Sequence, residues 1–357
     1  MLESYHMRIG IDYRLANRHL GGMAVYLKSL LESLKRIDGK NKYMLFDDNP
    51  SAGPGFQKHI WTFVWEHLWL QLLLPYHLWK AKINLAYFPN PPVSFFLTTP
   101  VVLTIPDVSF MYDASLAGWV KWYLWTMYFL SAHKARKITT FSQSSKNDIV
   151  NFFKVPRAKI QVTPLAASRE LSLQKVRRKD YIISVPGTFV SRKNVQETIL
   201  AFKNLPSDLR TSHYLVIVGY AEGEDFNQLK DFVTSQNLTQ SVIFTGRVTD
   251  QELGSLYSRA KLFVCTSRYE GFGLPILEAM ACGTPVISYN NSSLPEVIGQ
   301  AGILVNNVAE LSQAMKEVLE NKKLQTKLQQ QGLKHASTFS WQKTANAFLD
   351  SLPKNVN

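Results

Sequence analysis

Two glutamates eight positions apart bracket the segment of this chain best equipped for chemistry. They stand at the ends of Glu270-Gly-Phe-Gly-Leu-Pro-Ile-Leu-Glu278. The apolar run Leu262–Cys265 just before them reads as a buried strand. Pro275 suits the start of a helix, and Gly283 stands just past its expected end. A strand, a glycine-containing loop and a helix start make a ready site for a phosphate, because the first N–H groups of a helix lack intrahelical partners and the helix dipole is positive there. Glu270 lies on the loop and Glu278 about one turn into the helix. Both carboxylates therefore flank whatever the loop holds.

The elements that must position this loop follow one pattern twice. Strand-like runs at Arg8–Asp12, Lys42–Phe46, Asn84–Phe88, Val101–Ile105, Lys137–Phe141 and Lys159–Thr163 alternate with helical patterns near Met23–Leu34, Phe63–Trp79, Gly118–Ala135 and Ser144–Phe153. Asn49–Gly55 and Asn90–Pro92 read as loops. The polar, charged stretch Ala167–Asp180 reads as an interdomain linker. The alternation then restarts, with strands at Tyr181–Val185, Tyr214–Val218, Val242–Phe244, Leu262–Cys265 and Val286–Ser288. Helices are expected at Asn194–Phe202, Phe226–Gln236, Asp250–Tyr257, Pro275–Cys282, Leu311–Leu319, Lys322–Gln331 and Trp341–Leu352. Such alternation predicts α/β architecture with parallel sheets covered on both faces.

Composition agrees with two globular domains: 357 residues, 46% hydrophobic and 19% charged. The two cysteines, Cys265 and Cys282, form no Cys-x-x-Cys pair, which points to a reducing compartment without disulfides or a zinc site. No segment reads as a signal peptide or a spanning helix, so a cytoplasmic protein is expected. The net charge of +13 is uneven. Residues 1–180 hold 24 Lys and Arg against 12 Asp and Glu, a net of +12, and seven of the eight Trp precede residue 126. Two Trp-rich stretches, Trp61–Lys82 and Trp119–Lys137, have apolar bodies flanked by Lys and His. Burial over the first sheet accounts for much of that apolar content. Trp beside cations also suits the headgroup level of an anionic membrane, so peripheral contact at the inner membrane face is a second expectation. Nucleic acid is not expected, because charge alone supports it and no recognition motif is present.

The Glu270–Glu278 segment resembles the Glu-x7-Glu signature of family 4 retaining glycosyltransferases, which have two Rossmann-like domains facing across a cleft (the GT-B architecture). The resemblance extends along most of the chain, through Arg8–Asp12, Gly21–Tyr26, Val102–Asp107, Thr140–Lys146, Val185–Asn194, Phe244–Val248 and Ser292–Glu296. It implies an N-terminal acceptor-binding domain over residues 1–166, a linker over 167–180 and a nucleotide-sugar-binding domain over 181–340. The C-terminal helix, within 341–357, would pack back on the first domain. It further implies transfer of a sugar from a nucleoside-diphosphate sugar to a glycan or lipid-linked acceptor in cell-surface polysaccharide synthesis, without metal or cofactor. Lys193 matches the family's diphosphate-binding lysine, with Arg192 beside it. Glu278 matches the carboxylate that takes the ribose hydroxyls, and Glu270 the one beside the transferring sugar. The N–H groups of Phe272, Gly273 and Leu274 would face the β-phosphate and sugar. Gly21 and Gly22 match the loop that lets backbone approach the donor phosphates.

The chain departs from the family at two places. Pro106-Asp107 stands where many members carry His-Asp, and Gly187-Thr188 where many carry Gly-Arg, so Arg192 would supply the guanidinium. No Asp-x-Asp pair is present: Asp47-Asp48-Asn49 is contiguous and reads as a turn. Two rival readings remain open at this point. One is a non-catalytic nucleotide-sugar-binding partner of another transferase, suggested by Pro106. The other is a nucleotide-sugar epimerase on the same architecture.

Overall fold

The computed structural model describes residues 7–14, 16, 22–47 and 64–353. Gly21, the Asn49–Gly55 loop and the Trp61–Phe63 start of the first Trp-rich stretch lie outside the described residues. The chain builds two six-stranded sheets, parallel throughout. The first contains β1 (Arg8–Asp12), β2 (Lys42–Phe46), β3 (Leu85–Phe88), β4 (Val101–Thr104), β5 (Lys137–Thr140) and β6 (Ile160–Val162) in the order β2-β1-β3-β4-β5-β6. The second contains β7 (Tyr181–Gly187), β8 (Tyr214–Gly219), β9 (Val242–Phe244), β10 (Leu262–Cys265), β11 (Val286–Tyr289) and β12 (Ile303–Val305) in the order β12-β11-β10-β7-β8-β9.

Strands buried on both faces read as continuous apolar runs, and β3 (Leu-Ala-Tyr-Phe), β4 (Val-Val-Leu-Thr) and β11 (Val-Ile-Ser-Tyr) are buried at every position. In such a sheet ligands bind beyond the carboxyl ends of the strands where the strand order reverses. In the second sheet that point lies between β7 and β10. The loops leaving those two strands carry Arg192 and Lys193 on one side and Glu270 on the other.

The Ala167–Asp180 segment contains no regular element. It is nonetheless anchored to the second domain. Leu171 is buried, the Arg178 guanidinium donates to the carbonyls of Ala260 and Gly283, and the Lys179 N–H donates to the Arg259 carbonyl. The last helix, Trp341–Ser351, returns to the first sheet. Trp341 Nε1 donates to the Ala167 carbonyl (3.1 Å), Thr344 Oγ1 donates to the Pro164 carbonyl (2.5 Å), and the Phe348 ring meets Tyr87 edge-on.

One departure from the sequence expectation lies in the helix before β3. Phe63–Trp79 was expected to be a single α-helix. Its described part is helical over residues 64–68, passes through a π-helical turn at Trp69–Leu73 and continues as an α-helix over Leu74–Lys80. Pro75 has no N–H to give to the carbonyl four residues earlier, and the ladder widens by one residue to pass it.

Candidate active site

The loops after β7 and β10 are laced together before any ligand is considered. Gly187 ends β7 at φ +74°, and the 3-10 turn Ser191–Lys193 follows. Asn194, at φ +54°, donates from Nδ2 to the Thr266 carbonyl (3.2 Å), and Thr266 Oγ1 returns a bond to the Asn194 carbonyl (2.9 Å). The Arg268 N–H donates to the Arg192 carbonyl (2.8 Å). This clasp sets Lys193 Nζ 2.6 Å from Glu270 Oε1 and Arg192 Nη1 3.9 Å from Glu270 Oε2. The Glu270 backbone is pinned in turn: its N–H donates to Ser292 Oγ (3.0 Å) and its carbonyl accepts from Ser293 Oγ (2.8 Å). Burial would raise the Glu270 carboxyl, but Lys193 and then Arg192 outweigh it and hold the group below its ordinary value. Glu270 is therefore an anion already paired with the two cations.

Glu278 meets a different environment. The capping box Thr249-x-x-Glu252 fixes the start of the helix Asp250–Arg259. That helix carries the fully buried Tyr257, whose hydroxyl donates to Glu278 Oε2 (3.2 Å). No cation offsets the desolvation. Burial pushes the Glu278 carboxyl up to about 7, the Tyr257 bond lowers it only in part, and Asp250 raises it further. Two glutamates on one loop and helix thus hold protons differently near neutral pH.

Between them, Gly273 caps the helix Leu274–Ala281 at φ +92°, with Phe272 buried beside it. Among the described residues none accepts a hydrogen bond from the N–H of Phe272, Gly273 or Leu274. Three free donors at a helix start, with Lys193 and Arg192 across the same switch point, form an anion-binding set.

The first domain closes on this loop. A Cβ on Gly271 would stand 2.6 Å from Asp107 Oδ2 and 3.0 Å from the Pro106 carbonyl, so glycine is required for the two halves to meet. Ser145 Oγ donates to the Gly271 carbonyl (3.1 Å), and the Tyr269 hydroxyl donates to Asp148 Oδ2 (2.8 Å). Glu296 reaches across to the N–H groups of Gln143 and Ser144, at the start of the helix Gln143–Phe153. Gly22 begins the helix Gly22–Ile37, and among the described residues nothing lies within 4 Å of where its Cβ would stand.

The structure therefore brings Arg192, Lys193, Glu270, Phe272, Gly273 and Leu274 together and sets Glu278 one turn further into the same helix. Sequence reasoning overlooked Tyr257, Asn194, Thr266 and Ser145, and gave Ser292, Ser293 and Glu296 no role. The segments Thr140–Lys146, Val185–Asn194 and Ser292–Glu296 contained Ser145, Asn194, Ser292, Ser293 and Glu296, but nothing signalled Tyr257 or Thr266, since buried side-chain clasps leave no periodic trace. Among the described residues no group of three or more His, Cys, Asp or Glu is placed to hold a metal ion.

Two doubly wound parallel sheets, meeting at a loop that carries a cation–carboxylate pair and free N–H donors, define the two-Rossmann-domain architecture of GT-B glycosyltransferases. Residues 169–335 match the family described as glycosyl transferases group 1. Over 236 residues the chain is 34% identical to the O-antigen chain mannosyltransferase B of Escherichia coli, covering 61% of each protein. It is 30% identical over 236 residues to the serotype-specific mannosyltransferase WbdA of Escherichia coli, covering 62% of this chain and 29% of that protein. The chain thus spans less than two thirds of the length of either relative. Among solved structures, sucrose-phosphate synthase from Thermosynechococcus elongatus superposes with a TM-score of 0.79 at 18% identity, over 96% of this chain and 98% of that one. Anabaena HepE in complex with UDP and glucose superposes with a TM-score of 0.75 at 18% identity, over 97% and 99%.

Proposed function

We propose that this protein is a retaining, metal-independent hexosyltransferase of family 4 that builds a cell-surface polysaccharide. It moves a sugar from a nucleoside-diphosphate donor to a hydroxyl of a glycan or lipid-linked acceptor. The names of the relatives favour mannose. The second domain, residues 181–340, holds the donor, the first, residues 1–166, holds the acceptor, and residues 167–180 join them. The reaction takes place in the cytoplasm, with the protein in peripheral contact with the inner face of an anionic membrane.

One observation carries the reading: the Lys193–Glu270 ion pair beside three unbonded N–H groups at the switch point of the second sheet. As the sugar–phosphate bond breaks, negative charge grows on the diphosphate and positive charge on the sugar. Lys193, Arg192 and the N–H groups of Phe272, Gly273 and Leu274 meet the first, and fixed dipoles and cations of this kind act without reorganising. Glu270 sits beside the sugar and stabilises the second. The acceptor oxygen attacks from the face the diphosphate leaves, and the departing phosphate oxygen takes its proton. Glu278 accepts two ribose hydroxyl bonds, which a carboxylate can do at once. Gly21 and Gly22 complete the phosphate contacts from the first domain.

The test uses the purified chain with a panel of UDP- and GDP-linked hexoses. A true donor raises the melting temperature, because it binds only the folded state. Added acceptor then yields a product with the donor's anomeric configuration, read by NMR. Free epimer without acceptor, or binding without any turnover, would replace this reading with one of its two rivals.

A further inference from the structure

Two helices of the first domain leave an apolar face uncovered among the described residues. Over residues 64–80 the chain shows one stripe to the core, Trp69, Leu70, Leu74 and Leu78. A second apolar stripe, Leu68, Leu72, Tyr76 and Trp79, recurs every three or four residues on the outside. Leu72 is 56% exposed and Trp79 is 74% exposed. The neighbouring helix Gly118–Lys134 is apolar around its whole circumference, yet only Ser131 and Ala132 in it are fully buried. Trp119 and Trp122 are 74% and 69% exposed. A helix apolar on every side is normally an interior helix.

The two helices form one surface. His67 Nε2 and the Tyr123 hydroxyl lie 2.9 Å apart. Gln71 bonds the backbone of Val93 and Phe95, and that segment bonds Ser131 and Lys134. Phe96, 70% exposed, and Trp79 line the same open cavity of about 400 Å³. The surface also has a direction. The helix Gly118–Lys134 runs from the carboxyl end of β4 back to the start of β5, so Trp119 and Trp122 stand at the cleft end of the sheet. Trp79 and Phe96 stand toward the opposite end, a helix length of about 25 Å away at 1.5 Å per residue. Between residues 64 and 134 the acidic residues are Glu66, whose charge acts on Tyr123, Asp107, against Gly271 in the cleft, and Asp113, held by Ser115. Lys80, Lys82, Lys121 and Lys134 are set along this region.

We infer that this face, from Trp119 and Trp122 to Trp79 and Phe96, is the surface that lies on an anionic lipid bilayer. Trp and Tyr settle at the headgroup level, apolar side chains enter below it, and lysines meet the anionic headgroups. Because the face reaches the cleft, a lipid-linked acceptor can present its sugar to the site while its chain stays in the membrane. The inference deepens the proposed membrane contact, but it does not depend on which sugar is moved.

The experiment is vesicle co-sedimentation of the full chain, with light scattering for mass and transfer to a soluble glycan as a separate readout. Wild type should sediment with phosphatidylglycerol-containing vesicles and far less with phosphatidylcholine alone. Binding should fall between 0.1 M and 1 M salt, as the Debye length shrinks from about 10 Å to about 3 Å. L72S/W79S/W119S/W122S should lose at least tenfold in vesicle partition while keeping its monomer mass. The charge variant K80E/K134E, which leaves the apolar stripes intact, should lose binding to anionic vesicles in the same direction. Wild-type partition by both variants, or salt-independent binding to neutral vesicles, would overturn the inference. A wild-type dimer that the serine substitutions dissociate would also overturn it, since the face would then join two copies of the chain. Failure of sugar transfer with vesicle binding intact would instead count against the proposed activity alone.

Discussion

Replacing Glu278 by Gln separates the cost of this carboxylate from its use. In the folded protein burial raises the Glu278 carboxyl from an ordinary 4.5 to about 7, with only Tyr257 offering a hydrogen bond. Between those values the unfolded chain has released the proton and the folded chain still holds it. Unfolding stability therefore falls with rising pH by about 1.4 kcal/mol per pH unit, and the loss is complete above about 7. The interval of 2.5 units from 4.5 to about 7 corresponds to about 3 kcal/mol. Gln keeps the shape and cannot ionise. Glu278→Gln should match wild type in stability near pH 4.5 and exceed it by about 3 kcal/mol at pH 8. Urea unfolding of both proteins at the two pH values, monitored on the second domain, reads the difference directly. The same variant should bind nucleoside diphosphate more weakly, because a carboxylate that accepts two ribose hydroxyls is replaced by an amide with one acceptor oxygen. Calorimetry of wild type near pH 6.5, in buffers of different ionisation enthalpy, should show proton release on binding. A stability difference that stays constant from pH 4.5 to pH 8 would refute the reasoning, as would nucleotide binding that improves in the variant.

Lys193→Met should leave Glu270 with only the more distant Arg192 and cost about 3–5 kcal/mol, the usual penalty for an uncompensated buried charge, together with most turnover; urea midpoints and steady-state rates check both. Glu270→Ala should lower turnover with nucleotide binding nearly unchanged, whereas equal binding losses for Glu270→Ala and Glu278→Ala by titration calorimetry would contradict their separate roles. Gly271→Ala drives a methyl into Asp107 and should cost about 1–3 kcal/mol at the domain contact, opening the cleft measurably by small-angle scattering. Sugar transfer should persist in excess chelator, and complete loss restored by magnesium or manganese would remove the metal-free account.

How much of this was legible depended on how local each feature is. The strands of both sheets were visible because parallel strands buried on two faces are continuous apolar runs, as in Val101–Thr104 and Leu262–Cys265. β12, the three residues Ile303–Val305, was not read from the sequence. Pro295 and the brevity of Leu294–Ile298 hid that helix. Pro275 and Gly283 marked the ends of the site helix correctly to within a residue, since each acts through its own backbone. The Lys193–Glu270 pair spans 77 residues, and its short distance exists only because the strand order sets β7 beside β10.

The same dependence on context explains why the two glutamates cannot be interchanged. Both were drawn from one motif, and by sequence alone they are equivalent acids on either side of a glycine loop. The fold gives Glu270 a lysine, an arginine and two serines on its backbone, so its charge is fixed before any ligand arrives. It gives Glu278 a tyrosine and no cation, so that carboxyl stays poised near neutrality until a partner favours its charged form. A group held ionised by neighbouring cations suits a task in which charge develops during the reaction. A group whose ionisation is linked to what it binds suits recognition of a polar hydroxyl pair. Burial without a cation therefore decides the character of Glu278, and Tyr257, 21 positions earlier on the helix capped at Thr249, offsets that burial only in part.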